Sequence, residues 1–380
     1  MRRIAMLAAT AFAAGLAACG DSSTSRHAAA TPPVVGPRGP EPATAPTQPP
    51  APDVHPAPLA IPPIEPATSA EADPIQQALW KAATQDPKAR RNALIRAEVL
   101  LARAHFSPGV IDGLDGDNLK RAISAFEAAH GLPADGTMSQ PVWDALTAAD
   151  PQPVLTDYEI TPDDVKGPFL ARLPTDFREL AKLPRVGFTS PLEALAEKFH
   201  MDEAFLKRLN PGADFGVAGT KIVVAALGPD RLPAPVARIE VDKAQRQVRA
   251  YGADETLLAV YPATVGSTDR PAPDGVWAVK GVSRDPTYEF DPSRLTFGKP
   301  GYGKLTIKPG PNNPVGSTWI ALSAPTYGIH GAPDPVLIGK RQSHGCVRLT
   351  NWDARQLADA VKPGVKVAFL GVEAEGGAPG

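Results

Sequence analysis

The run Ser343-His344-Gly345-Cys346-Val347-Arg348, with His330 upstream, combines a nucleophile, a candidate base and a turn in one short stretch. A thiol of ordinary pKa, about 8.5, is mostly protonated at neutral pH, so it needs a nearby base or positive charge to react as thiolate. Cys346 supplies the thiol and His330 the candidate base. Gly345 removes the side chain beside the nucleophile, so that a substrate carbonyl could approach the backbone. The N–H groups of Gly345 and Cys346 are then placed to face a developing oxyanion. His330 sits in Tyr327-Gly328-Ile329-His330-Gly331, an apolar, strand-like segment ending at a glycine. Such a segment fixes an imidazole on a rigid element facing a loop.

Two other readings compete. A lone cysteine is often a small core hydrophobe, but this one arrives together with His, Gly and Arg, the constellation expected of a reactive site. A zinc site built on His330, His344 and Cys346 lacks a fourth ligand at finger-like spacing, and nothing else in the sequence implies a metal or a nucleotide cofactor.

Elements must hold these groups in place. From Val236 the apolar period is two: Ile239, Val241, Val248 and Tyr251 alternate with polar residues, and Leu257–Val260 and Val276–Val279 read as buried strands. Trp319–Leu322 and the Ile329 strand bring His330 to a sheet edge, with Trp277 and Trp319 read as core. Asp353 opens a short helix through Leu357 and Val361, and Pro363-Gly364 stops it before a last strand, Val365 to Leu370. Lys299 to Gly316, containing Asn312-Asn313, is a long Gly- and Pro-rich segment. Loops of that length inside a compact domain are usually functional, so it is expected to border the cleft.

At 380 residues the chain has room for two to four domains. Its formal charge of −2 and scattered Lys and Arg give no basic patch, so no nucleic-acid partner is expected. It contains 44 Pro and only two Cys, and because the cysteines have separate explanations no disulfide is expected. At the N-terminus, Arg2-Arg3, the apolar stretch Ile4 to Gly15 and Leu16-Ala17-Ala18-Cys19 form a secretory signal over residues 1–18, too short to span a membrane comfortably. Residues 19–72 are rich in Pro, Ala and Thr and read as an extended tether, reaching on the order of 150 Å at most. Residues 73–150 read as helical, with Leu94, Ile95, Val99, Leu100 and Leu101 on one helix and Leu119, Ile123 and Phe126 on another. Residues 155–228 read as strand, two helices and strand, with an inserted stretch Asp163 to Val186.

The order IHG, then SHGCVRL, with the upstream loop Pro309 to Gly316, resembles the YkuD-type L,D-transpeptidase family over residues 236–371. The resemblance implies a mostly-β catalytic domain within a multidomain α+β chain, working on peptidoglycan stem peptides. Cys346 would attack the carbonyl of the residue that precedes a terminal D-alanine, forming a thioester that an amine resolves. His330 matches the general base, with the Gly331 carbonyl orienting its ring. Ser343, His344 and Gly345 match the turn of the nucleophile, while Arg348, Asn312 and Asn313 are expected to hold substrate. The resemblance also implies that carbapenems acylate Cys346. Residues 93–148 are similar to the small helical peptidoglycan-binding module, and 155–228 resemble a divergent LysM βααβ module that binds glycan, or else a spacer that docks the catalytic domain. Leu16 to Cys19 resembles the bacterial lipobox, which implies a lipid on Cys19 and an exported protein anchored on the periplasmic side, at the outer membrane in preference to the inner. A carboxypeptidase or crosslink hydrolase using the same thioester, a non-catalytic wall anchor, and a protein lysine as acceptor stay open at this level.

Overall fold

The computed structural model describes residues 63–83, 85–267, 270–292, 301, 303–343 and 345–373. The signal segment, Cys19, most of the 19–72 tether and His344 lie outside these described residues.

The first region is helical: α1 (Asp73–Gln76), α2 (Trp80–Ala83), α3 (Pro87–Arg103), α4 (Asp117–Ala129) and α5 (Gln140–Ala149). Asp86 starts α3 by accepting from the Lys88 and Ala89 amides, with Pro87 at the position where a missing N–H costs nothing. Ser139 does the same for α5 through Val142 N. The apolar positions read from the sequence, Leu94, Ile95, Val99, Leu100, Leu101, Leu119, Ile123 and Phe126, are all buried.

The next region runs β1 (Leu155–Glu159), α6 (Pro162–Val165), α7 (Phe177–Lys182), α8 (Pro191–Lys198), α9 (Glu203–Leu209) and β2 (Lys221–Ala225). Strands β1 and β2 pair antiparallel, Leu155 opposite Ala225. The inserted stretch supplies α6 and α7. This module does not fold around a core of its own: Leu195, Phe205, Leu206, Ile222 and Val224 join Leu94, Ile95, Phe126 and Trp143 in one continuous apolar cluster. The tether ends earlier than its composition suggested. Ala67 N donates to Leu155 O at 3.1 Å and Ala72 is fully buried, so residues 64–72 are docked along β1.

The remaining strands are β3 (Arg238–Asp242), β4 (Gln247–Tyr251), β5 (Leu257–Pro262), β6 (Gly275–Arg284), β7 (Tyr288–Phe290), β8 (Leu305–Ile307), β9 (Thr318–Leu322), β10 (Gly328–His330), β11 (Val347–Arg348) and β12 (Lys366–Leu370), with α10 (Asn351–Ala360) before the last. Eight of them form one sheet in the order β11-β10-β9-β6-β12-β3-β4-β5, while β7 and β8 form a separate ribbon. The two edges of the large sheet meet. Thr264, just beyond β5, exchanges both backbone hydrogen bonds with Arg348 of β11, each 2.9 Å. The sheet thus curls until its edges pair, which removes exposed edge groups. Its inner face buries Ile239, Val241, Val248, Ile320, Ile329 and Val367, with α10 contributing Ala354 and Leu357.

The helical region reaches the same sheet: Ser107 N donates to Val260 O and Val260 N to His105 O, both at 2.9 Å. Residues 63–373 thus pack as one body in which the three regions share surfaces, not as beads joined by linkers.

Candidate active site

The imidazole stands on β10, and the thiol immediately precedes the neighbouring strand β11, where the sheet closes. Strands β10 and β11 run parallel with Ile329 opposite Val347 and His330 opposite Arg348, so Cys346 enters β11 directly beside the strand that ends in His330. Behind β10 lies β9, with Trp319 opposite His330. The indole stacks on the imidazole, centroids 5.2 Å apart and planes 20° apart. Trp319 is therefore more than the core residue read from the sequence. It is a wall that limits rotation of the ring.

His330 is 3% exposed, and its Nδ1 lies 2.6 Å from Gly331 O. A carbonyl only accepts, so Nδ1 carries the proton and Nε2 presents its lone pair. Burial, together with the charge of Arg348, brings the imidazole down to about 3, against the opposing pull of the Gly331 bond. The ring is neutral at physiological pH.

The half-buried Cys346 thiol donates to Thr326 O at 3.8 Å, and no hydrogen bond joins Sγ to the imidazole. Burial pushes the thiol up, while the Gly328 amide and Arg348 oppose that shift. Thiol and imidazole are thus both neutral in the resting state. Catalytic contacts that are long in the unliganded state commonly tighten with substrate.

The turn before Cys346 is braced by Ser343. Its hydroxyl donates to Cys346 O at 2.6 Å and accepts from Gly345 N at 3.1 Å, while Ser343 N donates to Val265 O at 3.0 Å. The expectation of Gly345 N–H as an oxyanion donor needs correction, because that amide already serves the Ser343 hydroxyl. Gly345 is required for another reason. Its φ is +115°, a conformation that L side chains rarely adopt, and a Cβ there would meet Tyr327 Cε1 at 2.9 Å.

Arg348 is half-buried and has no side-chain hydrogen bond or ion pair among the described residues, yet its charge acts on both Cys346 and His330. Tyr288, on the β7–β8 ribbon, feels Cys346 and Arg348. Burial and Cys346 push its hydroxyl up to about 12, with Arg348 opposing. No motif in the sequence marked it.

Asn312 and Asn313 are not arranged to hold substrate. Asn312 donates through Nδ2 to Glu193 Oε1 at 2.6 Å and to Gly187 O at 3.1 Å. Asn313 is fully buried, donates to Lys308 O at 2.8 Å and accepts from Val315 N at 2.9 Å. Around them, Val186 N donates to Pro309 O and Asn312 N to Val186 O. The described part of the expected cleft loop is therefore a seam against the middle module, with the Asn312 and Asn313 amide nitrogens and the Asn313 oxygen engaged by protein and only Asn312 Oδ1 left without a partner among these groups.

A family model described as an L,D-transpeptidase catalytic domain, YkuD, matches residues 236–368. A second, described as "Putative peptidoglycan binding domain", matches residues 90–146. The chain is 32% identical over 181 residues to the "Putative L,D-transpeptidase YkuD" of Bacillus licheniformis, covering 47% of this chain and 92% of that protein. It is 30% identical over 179 residues to the protein of the same name from Bacillus subtilis, again 47% and 92%. Against the "Probable L,D-transpeptidase ErfK/SrfK" of Escherichia coli it is 31% identical over 190 residues, 48% of this chain and 60% of the relative. With nine-tenths of the Bacillus relatives covered, and with its thiol and imidazole at adjoining strands of a closed sheet, this chain belongs to the YkuD family and carries an L,D-transpeptidase catalytic domain.

Proposed function

We propose that Cys346 and His330 carry out acyl transfer on peptidoglycan stem peptides, releasing a terminal D-alanine and joining the acyl group to an amine. The observation that carries this reading is the His330 Nδ1–H to Gly331 O bond, which fixes the tautomer and leaves Nε2 as a base beside the nucleophile's strand. Nε2 takes the thiol proton as Sγ attacks the scissile carbonyl. The C–N bond breaks, and the imidazolium returns its proton to the departing amine of D-alanine. The thioester left on Cys346 is attacked by the acceptor amine, whose proton passes to Nε2 and then back to the thiolate as it leaves. A backbone carbonyl replaces a carboxylate as the partner of the ring. It orients the imidazole without adding a full negative charge, consistent with a neutral resting pair.

Arg348 fits the carboxylate of a stem peptide: its guanidinium presents a planar fork of donors with no protein partner among the described residues. Tyr288, protonated throughout the physiological range, offers a hydroxyl beside it. The helical region that matches the peptidoglycan-binding model supports the same polymer as substrate. Export with a lipid on Cys19 fits a wall enzyme and rests on the N-terminal sequence; Cys19→Ser should then release the protein from membranes in detergent partitioning.

The test uses the purified chain and disaccharide tetrapeptides, with products read by mass spectrometry. Dimers joined between two diamino-acid residues, with one D-alanine released per crosslink, are the expected result. Tripeptides and D-alanine alone, with abundant acceptor present, would give the site to a carboxypeptidase.

A further inference from the structure

The face of α8 that carries Glu193 and Glu197 points toward the catalytic domain. Glu193 accepts from Asn312 Nδ2, and Glu197, one turn later, accepts from Asn351 Nδ2 at 3.2 Å through Oε1 and 3.1 Å through Oε2. His200, just past the helix, stacks on Trp352 of α10 with centroids 4.7 Å apart and planes 10° apart. These contacts involve the first residues of α10, immediately after the nucleophile's strand.

Asn351 is 1% exposed and fully used. Besides Glu197, its Nδ2 donates to Pro311 O at 3.1 Å, and its Oδ1 accepts from Ser317 N at 3.0 Å. The same oxygen lies against two glycines: a Cβ on Gly331 or on Gly316 would meet it at 2.1 Å. The Asn351 carboxamide oxygen thus lies against the α-carbon of Gly331, the residue whose carbonyl holds the His330 ring. The chain of contact runs from Glu197 to Asn351, to the Gly331 peptide, to His330 Nδ1.

We propose that Glu197, contributed by the middle module, is a positioning residue for His330, acting through Asn351 and the Gly331 peptide. This rests on the acyl-transfer reading above and extends the working site beyond the catalytic domain. With Glu197 removed, one Nδ2 proton of a buried carboxamide loses its acceptor. The carboxamide can then turn to seek another, and Gly331 loses the surface that sets its plane. The imidazole is held by that carbonyl, so a small rotation of the peptide moves Nε2 relative to the thiol. Burial holds Glu197 up near about 7, so it meets Asn351 in both protonation states around neutrality, and a carbonyl oxygen suffices as acceptor. Glutamine supplies one in the same place.

The experiment compares full-length wild type, Glu197→Ala and Glu197→Gln at one temperature well below each melting point. Acylation of Cys346 by the carbapenem imipenem is timed by intact mass, and the His330 Nδ1 proton is followed by NMR of histidine-labelled protein. Glu197→Ala should slow acylation on the order of 10-fold to 100-fold, the range that a misplacement of about 1 Å produces. It should also shift or broaden the Nδ1 proton signal, while Glu197→Gln stays near wild type in both. An unchanged His330 signal in Glu197→Ala overturns the proposal, whatever happens to stability. So does a glutamine variant as impaired as the alanine one. If wild type itself is not acylated, the acyl-transfer reading fails, and the His330 signal still decides whether Glu197 sets the ring.

Discussion

Two loops expected to serve the site, the 343–348 turn and the 309–316 segment, do opposite work. The first, with one Gly and no Pro, runs into β11, and the second, with three Pro, two Gly and two Asn, precedes β9 of the same sheet. In the segment 309–316, Asn312 and Asn313 bond to Glu193, Gly187, Lys308 and Val315, and the backbone pairs with Val186. In the turn the backbone is paired as well, Arg348 with Thr264 and Ser343 N with Val265 O, and the Ser343 hydroxyl is engaged. The two side chains of chemical interest differ: the Cys346 thiol has a weak contact to Thr326 O at 3.8 Å and the Gly328 amide near it, and the Arg348 guanidinium has no hydrogen bond or ion pair among the described residues. Buried polar groups in scaffolds are satisfied by the protein, whereas a reactive site keeps some of its polar groups for the substrate.

Substitutions on either side should therefore separate chemistry from stability. The largest effect belongs to the turn: Cys346→Ala abolishes the covalent mass increment with imipenem, and His330→Ala lowers the acylation rate about 10²–10⁴-fold, the usual contribution of a general base. Melting temperatures stay high enough to keep both variants folded. Retained acylation in Cys346→Ala would remove this turn from the chemistry.

The seam should respond the other way. Asn313→Ala leaves Val315 N, Ile307 O and Lys308 O without their partner, at a cost of about 1–3 kcal/mol in urea unfolding. The imipenem rate of the folded variant should equal that of wild type. A large loss of rate without loss of stability would return this loop to the substrate side.

The smallest effect is in the pH dependence of stability. His330 and His200 are both held near about 3 by burial, so below about 6.5 the unfolded chain binds protons that the folded chain refuses, and stability falls with pH. Glu197 and Asp353, raised to about 7 by burial, act oppositely: the folded chain keeps their protons from about 7 down to the ordinary carboxyl range. These two pairs offset each other to about pH 4.5, and Glu98, Asp112, Glu127, Glu203 and Asp230, also raised by burial, tilt the balance toward stability as pH falls. Below that the imidazoles, joined by the lowered Asp164, pull stability down. Urea midpoints should hold or rise from pH 6.5 to 4.5 and drop beneath. A steady decline from pH 6.5 would show that the carboxyls are not raised.

Much of this was legible in the sequence because it is local. The apolar faces of α3 and α4 follow helical spacing, and the alternation of Ile239 and Val241 marks β3. Cys346, His330 and Gly331 announce themselves by motif, and in the structure the Gly331 carbonyl lies 2.6 Å from the imidazole Nδ1. What was hidden depends on partners distant along the chain. Asn312 and Asn313 have the side chains of a binding loop, and only the approach of Gly187 and Glu193 shows them to be scaffold. Trp319 looks like core until its register opposite His330 is known. Tyr288 and Glu197 carry no local signal at all. Residues 64–72 have a linker's composition, and their docking on β1 is a tertiary fact.

The Thr264–Arg348 pairing has a consequence for how the molecule comes to life. It joins the edge strand β11 to a residue beyond β5 far away in sequence, the kind of contact whose closure requires the intervening chain to be ordered. Cys346 lies two residues from that junction. Before closure its thiol is an ordinary, solvated cysteine without a fixed base; after closure it is a shielded nucleophile. The pairing that closes the sheet therefore also sets the nucleophile beside the strand that carries its base.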